Sequence, residues 1–265
     1  MDRRRFLKNS AFVLASNFFG LSIFSKAFAM VEKKNNSSVQ PLIALIIDDI
    51  GYSIPRARDF LNVNIPMTFS VLPHLTHSYR IAVEIHGQGH EIMLHQPMEP
   101  FNSHLDPGPG ALLVGYKPQK ISQIMQENIF AAPYATGVNN HMGSKFTSCD
   151  KQIGHALRVI KDSNLFFIDS LTSGHSVAHQ TAKKLHMTTA CRNIFLDNCL
   201  QDKYIRRQLY QLEIHAKIHG YAIGIGHPFP QTAKAIRCFI SSPKHSGVSF
   251  VHVSDILSFH NTKYS

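Results

Sequence analysis

Six apolar residues, Leu42-Ile43-Ala44-Leu45-Ile46-Ile47, run directly into Asp48-Asp49. A short unbroken apolar run has no polar face to turn to water, so it reads as a strand covered on both sides, as in a parallel sheet sandwiched by helices. Two adjacent carboxylates at the end of such a strand repel each other. A nearby cation, or a division into one base and one ligand, relieves that repulsion. A lone Asp there would be read as a turn residue; the pair points to a site.

The pattern then repeats. Strand-like runs at residues 42–47, 67–72, 91–94, 135–138, 165–168, 194–196, 221–225 and 249–253 alternate with helix-like segments. One segment places Ile153, Leu157 and Ile160 on one face behind Asp150 as N-cap. Another places Ile205, Leu209, Leu212 and Ala216 on one face after Asp202 and stops at Gly220. Strand–helix repeats predict parallel pairing through right-handed crossovers. Each predicted strand is followed by Asp, Asn, His or Ser: Asp48-Asp49, His74, His95, Asn139-Asn140-His141, Asp169-Ser170, Asp197, His227 and Ser254-Asp255. In a parallel barrel these positions gather on the face where active sites form.

The N-terminus is set apart. Arg3-Arg4-Arg5-Phe6-Leu7-Lys8 is a basic segment, apolar residues follow, and Ala27-Phe28-Ala29 has the A-x-A form of an export cleavage site. Arg3-Arg4-x-Phe6-Leu7-Lys8 is similar to the twin-arginine signal. The apolar stretch is interrupted by Ser16, Asn17, Gly20 and Ser22 and falls short of the ~20 residues of a membrane span. Residues 1–29 are therefore expected to be a cleaved signal, leaving no stable membrane anchor and a periplasmic protein. Residues 30–40 are expected to be a polar linker, and 41–265 a single domain. The net charge of +10 is partly the leader's own. The remaining Lys and Arg are scattered, so no nucleic-acid surface is expected. The four cysteines, Cys149, Cys191, Cys199 and Cys238, lack C-x-x-C spacing. Cys191 could pair with Cys199, or all could be free thiols.

His95-Gln96-Pro97-Met98-Glu99 separates an imidazole and a carboxylate by four residues, which on a turn or short helix puts both on one side as metal ligands. Asn140-His141-Met142-Gly143-Ser144 brings another His in a loop that Gly143 lets bend. With 17 histidines in the chain, no single one is decisive, and His155, His215 and His219 fit helix surfaces. Ile223-Gly224-Ile225-Gly226-His227-Pro228 ends a strand on a His suited to acid–base work. Gly224 and Gly226 do not continue into G-x-G-x-x-G, so a dinucleotide site is not expected.

These stretches, with Pro66-Met67-Thr68-Phe69-Ser70-Val71-Leu72-Pro73, Phe167-Ile168-Asp169-Ser170 and Phe195-Leu196-Asp197-Asn198, resemble the divergent polysaccharide deacetylases, relatives of the NodB-homology carbohydrate esterases, across the whole mature chain. The resemblance implies an α/β fold: a distorted parallel (β/α)7-8 barrel. It implies Asp48 as general base, Asp49 and His95 as ligands of one divalent cation, most simply Zn²⁺, and His227 as general acid. The family's H-x-x-x-H motif has Glu99 at its second histidine here, so the third ligand is either Glu99 or His141. The family's Arg-containing motif is not evident, and Asn140-His141 stands in its place. Asn140, Asp169, Ser170 and Asp197 are candidates for substrate binding.

The function so implied is a metal-dependent hydrolase that removes acetyl groups from N-acetylated amino sugars of an envelope polysaccharide. An alternative is a non-catalytic glycan-binding or scaffold protein on the same barrel. A third reading, a glycosidase using Asp48 and Asp169, would need no metal. A bound cation near His227 is expected to depress that histidine's pKa.

Overall fold

The computed structural model describes residues 40–243 and 247–263. The predicted signal, and all of the linker but Gln40, lie outside them. No helix among the described residues is long and apolar enough to cross a membrane.

Strands β1 (Leu42–Ile50), β2 (Thr68–Val71), β3 (Glu91–Met98), β4 (Ala135–Met142), β5 (Phe166–Asp169), β6 (Thr189–Cys191), β7 (Ile194–Phe195), β8 (Tyr221–Gly226) and β9 (Ser249–Val251) are joined through helices. The helices are α1 (Ile54–Leu61), α2 (Ser78–Gly87), α3 (Pro118–Ala131), α4 (Asp150–Asp162), α5 (Ala178–Lys184), α6 (Asp202–His219), α7 (Pro230–Ile240) and α8 (Val253–Lys263). Every recorded strand pair is parallel, in the order β6-β5-β4-β3-β2-β1-β8-β7, with β9 beside the first half of β1. The sheet curls into the expected distorted barrel. Its end strands β6 and β7 meet through the chain itself: at Arg192-Asn193 one backbone N–H donates to Asp169 in β5 and the next to Ile223 in β8.

The alternation of β1 explains its unbroken apolar run. Ile43, Leu45 and Ile47 pack outward against the helices, while Ala44 and Ile46 face the barrel interior with Met93, Ile168, Ile223 and Ile225. Gly224 faces outward, where a Cβ would lie 2.7 Å from Leu212, so its absence lets α6 seat on β8. Helix α8 plugs the N-terminal end: Val253, Ile256 and Leu257 join the interior cluster. The buried carboxylate of Glu91 accepts the N–H groups of Val253 and Ser254 and the hydroxyl of Thr68, taking up donors that a helix start leaves unpaired.

The structure corrects several local expectations. Strand β6 has no counterpart among the predicted strands. Residues 95–98 continue β3 and form neither a turn nor a short helix. Asp150 is the first residue of α4, with Cys149 at the cap position, and its carboxylate accepts the Thr181 hydroxyl. All four cysteines are free, and burial pushes the Cys191 thiol up to about 12.

Candidate metal and acid–base centre

The site begins with an irregularity in β1. Ile47 pairs with Phe69 and Ile50 with Val71, so three steps along β1 face two along β2. This bulge, with Asp49 in the left-handed region at φ 57°, overrides the alternation that would send adjacent side chains to opposite faces. Both carboxylates thus reach the barrel mouth. Asp48 is 2% exposed, and Asp49 is partly open.

Strands β3 and β4 supply the histidines. His95 lies opposite Asn139 in the parallel register, and His141 is two residues further along the same face. Asp49 Oδ1 is 2.8 Å from His141 Nδ1 and 3.2 Å from His95 Nε2, and the two ring nitrogens are 3.3 Å apart. These three atoms converge as a metal site would require. The hydrogen bonds behind them fix the tautomer of His95. Asn139 Nδ2 donates to Asp48 Oδ1 at 2.8 Å, so Asn139 Oδ1 faces His95 Nδ1, 2.7 Å away. An amide oxygen only accepts, so Nδ1 carries the hydrogen and Nε2 presents its lone pair to the mouth. There it meets Asp49 Oδ1, a buried oxygen without a hydrogen-bond donor of its own, and Asp48 Oδ2 at 3.6 Å. Acceptors facing acceptors call for a cation, so the residues fit a divalent metal. Burial opposes charge on both groups. For Asp49 the neighbouring imidazoles, His141 ahead of His95, outweigh it and hold the carboxyl below its usual range. For His95 the charges of Asp48 and Asp49 outweigh it and raise the imidazole.

Glu99 does not join this convergence. Just beyond β3, its carboxylate accepts the Val114 N–H at 2.6 Å and pairs with Lys145 at 2.5 Å, while its backbone oxygen takes the N–H groups of Lys145 and Phe146. It braces the loop that follows β3, and the geometry brings His141 to the third position.

Across the mouth stands His227, at the end of β8. Its Nδ1 is 2.8 Å from Asp197 Oδ1, and its backbone N–H donates to Asp197 Oδ2, which also accepts from Thr232. Burial alone would lower the imidazole, but the bond to Asp197, with the charges of Asp197, Asp48 and Asp49, raises it to about 9. Asp197 was not read as a partner of this ring, and the depression expected from a bound cation would act against this rise. With Nδ1–H held by Asp197, Nε2 is the nitrogen free to give or take a proton.

The other strand-end polar residues are engaged within the protein. Asp169 accepts from Leu171 N, Ser176 Oγ and His179 N, so it is committed to its own loop and not disposed as a glycosidase's second carboxylate. Asn140 Oδ1 accepts from Ser170 N, and its amide donates to Met142 O. Ser170 Oγ lies 3.3 Å from Asn139 Nδ2. Two further contributors were not legible. Asn139 is one of two adjacent asparagines, and only the strand register singles it out. Arg192, beyond the unpredicted β6, donates to Ser170 O at 2.7 Å and Leu171 O at 3.0 Å and sits 3.8 Å over the ring of Phe195.

The curled parallel barrel is a fold found among polysaccharide deacetylases. A sequence model of divergent polysaccharide deacetylases matches residues 45–257, and the chain belongs to that family. It is 31% identical over 212 residues to the uncharacterized protein YibQ of Escherichia coli K12, covering 80% of this chain and 66% of that relative, just under two thirds of its length. An uncharacterized protein from Agrobacterium tumefaciens C58 superimposes with a TM-score of 0.78 at 25% identity, over 82% of this chain and 89% of that one. The catalytic domain of a peptidoglycan N-acetylglucosamine deacetylase from Eubacterium rectale shares the fold, with a TM-score of 0.51 at 13% identity over 81% and 89% of the two chains.

Proposed function

We propose that the protein is a metal-dependent hydrolase of the cell envelope that removes acetyl groups from N-acetylated amino sugars of a polysaccharide. One observation carries the reading: Asp49, His95 and His141 converge beside the buried Asp48, with the Asp197-held His227 completing the mouth. The donor set of one carboxylate and two imidazoles suits Zn²⁺. When bound there, the cation polarises the amide carbonyl and makes water more acidic. Asp48, held by Asn139, accepts the proton of the attacking water. His227, protonated at neutral pH through Asp197, delivers a proton from Nε2 to the departing amine. Asn139 keeps His95 in its ligating tautomer.

The test has two parts. Elemental analysis after Zn²⁺ loading should find one ion per chain, lost in Asp49→Ala and His95→Ala. Acetate release from N-acetylated envelope glycan should fall ~10²–10⁴-fold in Asp48→Asn and in His227→Ala. Stoichiometric metal with no acetate released from any envelope glycan would leave the scaffold reading in place of this one.

A further inference from the structure

Strand β7 is two residues long and stands last in the sheet order, with β8 beside it on one side. Yet it carries the groups that surround His227. In the parallel register Phe195 lies beside Ile225, and both pack into the interior cluster. The same alternation, carried two residues on, brings Asp197 beside His227. The Phe195 and His227 rings are 20° from parallel, with centroids 6.1 Å apart. Asp197 thus holds the imidazole by its Nδ1 edge, while Phe195 flanks it.

So short a strand needs a second anchor, and Arg192 supplies one. Its Nε and one terminal nitrogen donate to Ser170 O and Leu171 O, across the seam between the two ends of the sheet. Its guanidinium carbon sits 3.8 Å over the Phe195 ring. Leu171 adopts φ 48°, a costly conformation for a residue with a Cβ. It is held there from both sides: its N–H donates to Asp169 Oδ1, and its carbonyl accepts from Arg192. Ser170 leads on to the other half of the centre. Its N–H donates to Asn140 Oδ1, and its hydroxyl lies 3.3 Å from Asn139 Nδ2, the amide that holds Asp48. Contacts therefore run unbroken from Asp48 through Asn139, Ser170, Arg192 and Phe195 to His227. A lysine, with one compact ammonium, could not span both carbonyls and lie flat on the ring as well.

We infer that Arg192 is a positioning residue: its planar fork clamps Phe195 so that His227 stays seated on Asp197, at a fixed place relative to Asp48. The inference rests on the acid role proposed for His227 and adds the part that orients its ring. Orientation matters because an acid misplaced by about 1 Å loses on the order of 10²-fold in rate.

The test reads the histidine itself as well as turnover. In Zn²⁺-loaded protein carrying isotope-labelled histidine, the Nδ1–H held by Asp197 should give a slowly exchanging proton signal in NMR. Its loss in His227→Ala assigns it. Arg192→Met keeps the apolar stem and removes the fork. The signal should then broaden or vanish, and kcat for acetate release should fall ~10²-fold, with KM and Zn²⁺ stoichiometry unchanged. Arg192→Lys should restore neither. Phe195→Leu leaves the fork's bonds to Ser170 and Leu171 in place and should weaken the signal alike, so it carries the test if Arg192→Met fails to fold by circular dichroism. An unchanged signal in folded Arg192→Met, or in Phe195→Leu, would overturn the role and leave Arg192 closing the seam alone. Full rescue by Lys would overturn it too, because charge and not the fork would then matter. A raised KM with unchanged kcat would make Arg192 a substrate-binding group instead. If the unmutated protein releases no acetate while the signal still depends on Arg192, the deacetylase reading fails and the clamp on His227 stands.

Discussion

At the scale of single residues, the site depends on groups that never touch substrate. Asn139 is the clearest case, since it alone fixes which nitrogen of His95 is free. Asn139→Ala should weaken Zn²⁺ binding ~10–100-fold, the range for losing such a supporting partner, with His95 still present. Calorimetric Zn²⁺ titration measures this, and unchanged affinity would show that the tautomer is set elsewhere. Asp197 acts on His227 in the same indirect way. Because the folded pKa of about 9 lies above the ordinary 6.5, the proton and the stability it confers are fully present below about 6.5 and are lost as pH rises through 9. The alkaline limb of activity should therefore lie above 6.5, with the bound cation drawing it below 9. In Asp197→Asn it should move down by about a unit or more. A limb that stays put would remove Asp197 from this role.

At the scale of elements, the strands that place the site were legible where apolar content was dense. β1 and β8 could be read from Ile, Leu and Ala runs, and α6 from its four-residue spacing and terminal Gly220. Asp48, Asp49, His95 and His227 stood out because each follows such a run. What escaped was set by pairing and not by local pattern. β6 is only Thr189-Ala190-Cys191, too short and too polar to announce itself. The bulge that swings Asp49 beside Asp48 arises from a mismatch with β2, a relation between distant segments. The role of Glu99 was open because spacing alone could not foresee Lys145, 46 residues away. The plug at the other end makes a separate prediction. Glu91→Ala strands the first N–H groups of α8 and the Thr68 hydroxyl, and should cost about 2–3 kcal/mol, read as a lower midpoint in urea. A variant as stable as the parent would mean that water replaces the carboxylate there.

At the scale of the whole molecule, the barrel and its family membership agree. Where the protein works is a proposal from its N-terminus. Mass analysis of the exported protein should find a chain starting at or near Met30. Arg3→Lys with Arg4→Lys should stop its appearance in the periplasm. A chain retaining Met1 would contradict cleavage, and unchanged export of the double variant would contradict the twin-arginine route.

The pairing of β1 with β9 also sets a clock. Ser249 N donates to Pro41 O, and Ser249 Oγ to Gln40 Oε1 across 209 residues. The strand bearing the acid pair is thus among the first to be synthesised, yet it waits for one of the last to complete its edge. Contacts this remote in sequence slow folding, because the chain must close a long loop before they form. Until then β1 presents an unpaired edge open to other chains. The interval between synthesis of β1 and arrival of β9 is the period in which a nascent chain is most exposed to aggregation or capture by a chaperone.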